Sequence, residues 1–477
     1  MAPTLHAKVM YESLDPQSIP EHLAYYELYN YPPALEHAWK LLSGDEGRQL
    51  PLAFPQNSNA FIALINPQDS KEDFIISDEA LATIQEIAKT LPNRKRKGYN
   101  AKTLDELLAL NSDEIDLARA LLIGQLEDKT SLSRYEAMLD LMALQVMSKI
   151  GPSASPADKV RALNTLIFYE QGFRFPPHST YSQTIDRFTF LPHVLESRRG
   201  VCLGVSALYI CLAERIGLDF EIITPPGHIF IKSCGQNIET TLRGVHIHDD
   251  EYLGINLIAL PKRTKKEVVG MAFFNQASIY LSDGNFEKAA SCYRQALPFM
   301  QGDKMLYTLL AASLYLTNHD IEAKRFAKEA MTKEEAFLIS QNRLSDDIYY
   351  NRADKEAFRS LFLYVDETRA SLLKKRDALQ KAVERCPTFY SGIFTLAITQ
   401  LQLNRPQEAV TLLEKLACQT PDDITVHYYL AELHLSRYNA PAAWASFHKA
   451  EALAHKKGVM PQALTHLKTL LSIHCPQ

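Results

Sequence analysis

A cysteine, a histidine and a glutamate follow one another in an order that suits thiol chemistry. Cys202 lies in RRGVCLGVSALY, residues 198–209, two positions after a glycine and at the head of a long apolar stretch. That puts it at or near the first turn of a helix beginning after Gly200. Unpaired N–H groups and the macrodipole favour an anion there. Such a setting raises the thiolate fraction of a cysteine, and Arg198 and Arg199 add positive charge nearby. The same N–H groups are candidates to hold an oxyanion, and Gly200 would let a substrate approach the backbone. A nucleophilic thiol also needs a base and an acceptor to orient that base. His228 follows PPG, and Glu239 lies on the next strand with Asn237 two residues earlier. If Cys234 and Gly235 form a two-residue hairpin loop, Ser233 pairs with Gln236 and Phe230 with Glu239. His228 and Glu239 then share a face, because alternate residues of a strand do. A loop of odd length would separate them.

Each residue also has a plainer reading. Cys202 alone reads as a buried helix cysteine, His228 as a turn histidine and Glu239 as a strand-edge carboxylate. Cys211 and Cys234 read as packing and loop residues, and Tyr209 as core. His246 and His248 in GVHIHDD could share a strand face for a metal, but no further ligand is evident. No metal and no cofactor is therefore expected.

The elements around these residues are legible. SPADKVRALNTLIFYEQG carries Ser155 as a cap, Pro156 at the first helical position and Gly172 as a stop. The apolar run after RRG continues to LAERIGL, with Gly217 closing the helix. FEIIT, HIFIKS and NIETT then read as three short strands, giving an α+β module.

The last 210 or so residues form a helical array. Ala277, Ala289 and Ala296 recur as Ala311, Ala323 and Ala330, and Ala397, Ala409 and Leu416 recur as Ala431, Ala443 and Ala450. Pro387 recurs as Pro421. A 34-residue period with small residues where two helices touch marks tetratricopeptide (TPR) repeats. LLKKRDALQKAVERCP reads as the second helix of a weakened repeat, and PQALTHLKTLLSIH as a capping helix. Near the N-terminus, SDEALATIQEIAKTLP reads as an amphipathic helix capped by Ser77, and AFIALINP as a strand or buried helix. NRKRKGYN reads as a solvated basic linker.

Bulk properties narrow the classes. The chain has 477 residues and a formal net charge of −5, which argues against broad electrostatic binding to nucleic acid. The N-terminus lacks a basic segment followed by an apolar core, so no signal peptide is read. The longest apolar stretch, Val201 to Ala213, falls short of the roughly 18 residues that span a membrane. Seven scattered cysteines without a CxxC pair suit a reducing compartment. A cytoplasmic protein is expected, although one exported by a specialised secretion system would look the same.

RRGVCLGVSALYICLAERIGL, then PPGH with IFIK, then GQNIETT, resembles the transglutaminase-like core of the bacterial SirB-type family. RALLIGQLEDKTSLSRYEAMLDLMA through FYEQGF is similar to that family's leading helices, and TPR repeats after the core are usual there. The resemblance covers about 115–255 plus the repeats. It implies a papain-like fold with a Cys–His–acid triad of Cys202, His228 and Glu239. The family more often has Asp-Pro where this chain has Glu239-Thr240, and Asn-Ser-Tyr-Leu where it has Phe188 to Leu191. Many relatives lack the cysteine.

The expected architecture is an α+β transglutaminase-like, papain-like core followed by an all-α TPR solenoid. A mainly helical region spans 1–111, the core 112–262 and the repeats 263–477. Within the last, repeats are expected at 270–303, 304–337, 338–389 (degenerate), 390–423 and 424–457, with a cap at 460–474. One expected function is a thiol enzyme acting on a carboxamide or peptide bond, with a protein or peptide partner on the concave TPR face. The other is a non-catalytic scaffold in which the same module supports TPR-mediated binding.

Overall fold

The computed structural model describes residues 5–43, 78–126, 128–151, 153–177, 185–255, 257–333, 338, 342–366 and 368–476. AFIALINP and the Ser77 cap lie outside them. Among the described residues the chain is mostly helical with one small sheet. It divides into two compact units, one built from 1–223, 227–247 and 263–269, the other from 224–226, 248–262 and 270–477.

The centre of the first unit is the helix Cys202–Arg215. From Leu203 to Arg215 every residue is buried. A helix that is apolar on all sides belongs inside a core, which accounts for the run that is too short for a membrane. Its glycines permit close packing. A Cβ on Gly204 would lie 2.1 Å from the Phe188 carbonyl oxygen, and one on Gly200 would lie 2.6 Å from Val205 Cγ2. Gly200 therefore serves internal packing. Around this helix stand Leu117–Gln125, Leu132–Ile150, Pro156–Asn164 and Leu191–Ser197. Ser155 and Asp158 form the capping box of the third of these, with proline in its first turn.

The last turn of the central helix carries two buried charges, each partnered. Arg215 Nε lies 2.8 Å from Asp140 Oδ1. Glu214 meets Lys265 Nζ at 2.9 Å and Arg96 at 2.7 Å, and accepts the Leu117 N–H. Arg94 pairs with the other oxygen of Asp140. NRKRKGYN is thus not a solvated linker. It folds as two 3-10 turns, Pro92–Lys95 and Lys97–Asn100, and its arginines neutralise carboxylates that would be costly to bury alone.

The sheet runs β3-β2-β1-β4, with β1 at Glu221–Ile223, β2 at Phe230–Ser233, β3 at Gln236–Ile238 and β4 at Lys262–Arg263. Ser233 pairs with Gln236 and Ile231 with Ile238. Cys234 and Gly235 have φ of 52° and 73°, the two positive values that a type I′ hairpin turn requires.

In the second unit the repeats are helix pairs. Phe286–Ala296 completes the first, Lys304–Leu316 with Asp320–Thr332 the next. Tyr390–Gln402 with Pro406–Gln419 and Ile424–Ser436 with Ala440–Lys456 follow. Gln462–His474 closes the array. All twelve small or apolar repeat positions, Ala277 through Ala450, are fully buried. A left-handed residue turns each pair at the same place: Gly284, Asn318, Asn404 and Tyr438. The next N–H donates back across the turn, as Asn285 to Tyr280 O and Asn439 to His434 O do, which is how a left-handed cap ties off a helix. Asn351 repeats the device, with Arg352 N–H donating to Asp347 O. The weakened segment opens with Leu344–Tyr349 and Lys355–Leu361, and the helix Arg369–Arg385, which carries most of LLKKRDALQKAVERCP, packs on Lys355–Leu361 as the second helix of that pair.

Candidate active site

Cys202 is the first residue of the central helix, and Val201 is its extended N-cap. No side chain caps that first turn, so its leading N–H groups face outward from the helix end. The Val201 N–H donates to Phe188 O at 3.1 Å. That bond holds the Phe188 to Leu191 segment against the helix start. Leu191 N–H donates to Gln125 Oε1 at 2.9 Å.

His228 lies between the PPG turn and β2. Its Nε2 is 2.6 Å from Glu239 Oε2. Glu239 follows β3 directly, is almost fully buried, and caps the 3-10 turn Thr240–Leu242. Its second oxygen, Oε1, accepts the Thr241 hydroxyl at 2.6 Å and the Thr241 N–H at 3.2 Å. Both carboxylate oxygens are thus engaged, which fixes the direction in which the acid presents itself to the ring. The Glu239 N–H donates to Val245 O at 3.0 Å, so the chain folds back at once instead of extending the strand.

The Cys202 side chain is the strongest influence on His228. Hydrogen bonding to Cys202, then to Glu239, outweighs burial and pushes His228 up to about 9. His228 thus feels both the Cys202 thiol and the Glu239 carboxylate. Cys211 lies in the core, where burial pushes its thiol well above the ordinary value, as expected of an inert packing residue. Cys234 is exposed in the hairpin turn. The hydroxyl of Tyr209 is buried without a partner among the described residues, as core rather than site.

Two site neighbours escaped the sequence reading. Ser206 stands one helical turn beyond Cys202, on the same face. Its Oγ is 2.9 Å from Thr240 Oγ1 and 3.5 Å from Ile229 O. It thus links the helix to the residue after His228 and the residue after Glu239. The available signal was a lone hydroxyl at i+4 from the cysteine in an otherwise apolar run. Thr241 is the second, and nothing in its sequence context distinguishes it.

The histidines of GVHIHDD are not on a strand. His246 Nδ1 accepts the Asn237 N–H at 2.9 Å, and the Asn237 amide donates to Ile247 O at 2.8 Å. Among the described residues no cluster of three or more His, Cys, Asp or Glu could hold a metal.

The central helix that begins at Cys202 and the small sheet flanked by His228 and Glu239 lie in a transglutaminase-like domain. Residues 133–247 match the model of the transglutaminase-like superfamily, and residues 272–299 match a tetratricopeptide repeat model. No curated protein matches the chain. Similar solved structures include "MamA MSR-1 C2", at 14% identity over 39% of this chain and 98% of that one, with a TM-score of 0.20. The P58(IPK) TPR domain is 10% identical over 99% of each chain, with a TM-score of 0.22. The APC/C hetero-tetramer Cut9-Hcn1 is 12% identical over 95% of this chain and 92% of that one, with a TM-score of 0.24. No helix among the described residues is long and apolar enough to cross a membrane.

Proposed function

We propose that the transglutaminase-like domain is a thiol enzyme of the SirB-like type that attacks a carboxamide or peptide carbonyl, and that the repeats recruit its protein substrate or partner. Cys202 is the nucleophile, His228 the base and then the acid, and Glu239 the residue that orients His228. The carrying observation is that Cys202 and Glu239 both act on the His228 ring.

With Nε2 committed to Glu239, Nδ1 is the nitrogen that takes the thiol proton. The sulfur attacks the carbonyl carbon, and the first-turn N–H groups steady the oxygen that gains charge. His228 returns its proton to the departing amine or ammonia, leaving a thioester on Cys202. Water or a second amine then attacks the thioester and regenerates the thiol.

A partner site is supported by a cavity of about 490 Å³ within the second unit, lined in part by Lys304, Arg343, Tyr390 and Phe394. Concave surfaces of this kind are what helical-repeat arrays use for binding. The seven free cysteines support a reducing, cytoplasmic setting.

The test is a product-trapping assay on the full chain, using glutamine-containing peptides with a fluorescent primary amine and a parallel ammonia readout. Cys202→Ala is the control. Ammonia release or amine incorporation that disappears in Cys202→Ala supports the enzyme. Identical traces from both proteins would leave the domain as the scaffold that presents the repeats.

A further inference from the structure

Two arginines are paired across a backbone bridge, the second just before Cys202 in the chain. The Arg174 N–H donates to Arg198 O at 3.2 Å, and the Gly200 N–H donates to Arg174 O at 3.1 Å. These bonds form a parallel bridge that pairs Arg174 with Arg199. Residues paired across a bridge project to the same side, so two guanidinium groups share one face. Like charges placed opposite each other cost stability, and folds ordinarily offset that with a carboxylate. No such offset is present among the described residues, where neither Arg174, Arg198 nor Arg199 forms an ion pair. Glu196, the carboxylate nearest in sequence, is taken by the Tyr135 hydroxyl. Elsewhere in this same unit Arg94, Arg96, Arg119 and Arg215 all have acidic partners. Arg174 is exposed and Arg199 half-buried, so the pair remains open to a ligand. Arg199 lies three residues before Cys202, within about 10 Å along an extended chain.

We infer that Arg174 and Arg199 form a carboxylate-binding subsite that selects acidic peptide segments and presents them to Cys202. Two guanidinium forks on one face suit a carboxylate, which each can grip through parallel N–H donors. The substrate class follows: a protein segment with Asp or Glu close to the attacked carbonyl. This rests on the thiol-enzyme reading for what happens to the bound segment, but not for the binding itself.

The test has two arms, both on the full chain. The first compares alkylation of Cys202 by iodoacetate and by iodoacetamide, reagents that differ in charge. Arg174→Gln/Arg199→Gln is expected to slow iodoacetate about threefold or more relative to iodoacetamide, as removal of nearby screened charge should. Arg174→Lys/Arg199→Lys is expected to keep most of the ratio. Should the double variant not fold, Arg174→Gln alone serves, since Arg174 is exposed. The second arm measures anisotropy of fluorescein-labelled hexaglutamate and hexaglutamine on Cys202→Ala protein. Hexaglutamate is expected to bind more tightly, with the difference lost in the double Gln variant and in 0.3 M salt. An unchanged alkylation ratio, or equal binding of the two peptides, would overturn the subsite. Arginine-dependent hexaglutamate binding in a protein without turnover would instead sink the enzyme reading while upholding the subsite.

Discussion

Ser206 and Thr240 share a hydrogen bond of 2.9 Å between a helix and a turn. It joins the face that carries Cys202 to the segment that carries Glu239. Both hydroxyls are buried, so Ser206→Ala takes from the Thr240 hydroxyl its partner on the helix. Ser206→Ala is expected to destabilise the protein by about 1–3 kcal/mol, read by urea unfolding. A double-mutant cycle with Thr240→Val should give a coupling of about 0.5 kcal/mol or more. Additive costs would mean the bond contributes nothing.

Thr241 holds Glu239 through its hydroxyl and its N–H. Thr241→Val keeps the N–H and the shape but deletes the hydroxyl donor. Turnover should fall about tenfold, the worth of one charge-assisted hydrogen bond. Because Glu239 acts through His228, the imidazole titration followed by NMR should shift down as well. Unchanged titration and turnover would show that Thr241 does not steer the acid.

Hydrogen bonding to Cys202 and Glu239 pushes His228 up to about 9 in the folded chain, against roughly 6.5 when unfolded. A raised value means the folded state holds the proton more tightly. Its stabilising effect is complete below about pH 6.5 and disappears as pH climbs through about 9. The denaturation midpoint of the wild type should therefore fall between pH 7 and pH 10, and His228→Ala should flatten that part of the curve. Turnover should show an alkaline limb near pH 9, where His228 no longer has a proton to give the leaving group. A limb near pH 7 would contradict the assignment.

Arg215 is fully buried against Asp140. Replacing it with methionine leaves the buried Asp140 carboxylate to Arg94, at a cost below the roughly 3–5 kcal/mol of a fully unpaired buried charge. Chemical denaturation measures this directly. Reactivity of Cys202 at the opposite end of the same helix should fall in parallel as the helix loses its anchor.

Gly204→Ala places a methyl 2.1 Å from the Phe188 carbonyl oxygen. The Phe188 segment must move, and the Val201 N–H then loses its acceptor. A fall in melting temperature of several degrees is expected, following a cost of roughly 1–3 kcal/mol. Wild-type stability in this variant would show that the segment is free to yield.

Local chemistry made much of this protein legible. Ser155, Pro156 and Gly217 bound helices by capping and by turn geometry, which depend on a few neighbouring residues. The 34-residue spacing of buried alanines announced the repeats, because each pair packs the same way. The loop of Cys234 and Gly235 carried the hairpin register, since a two-residue turn needs positive φ at both positions. The order Cys202, His228, Glu239 could likewise be read as a candidate before any coordinates.

Other features had no local signature. NRKRKGYN reads as a solvated run because its partners, Asp140 and Glu214, lie far along the chain, and only folding buries the charges together. Gly200 and Gly204 serve contacts that only the packed helix creates. Strand alternation predicts a face but not a carboxylate direction. Glu239 leaves the strand, and Thr241 and the Val245 carbonyl turn it onto His228. Capping, repeat spacing and turn chemistry are local, so most elements and the reactive candidates can be read along the chain. Tertiary structure decided which of them meet, because the bonds that aim Glu239 and join Ser206 to Thr240 exist only once the helix and the hairpin have packed.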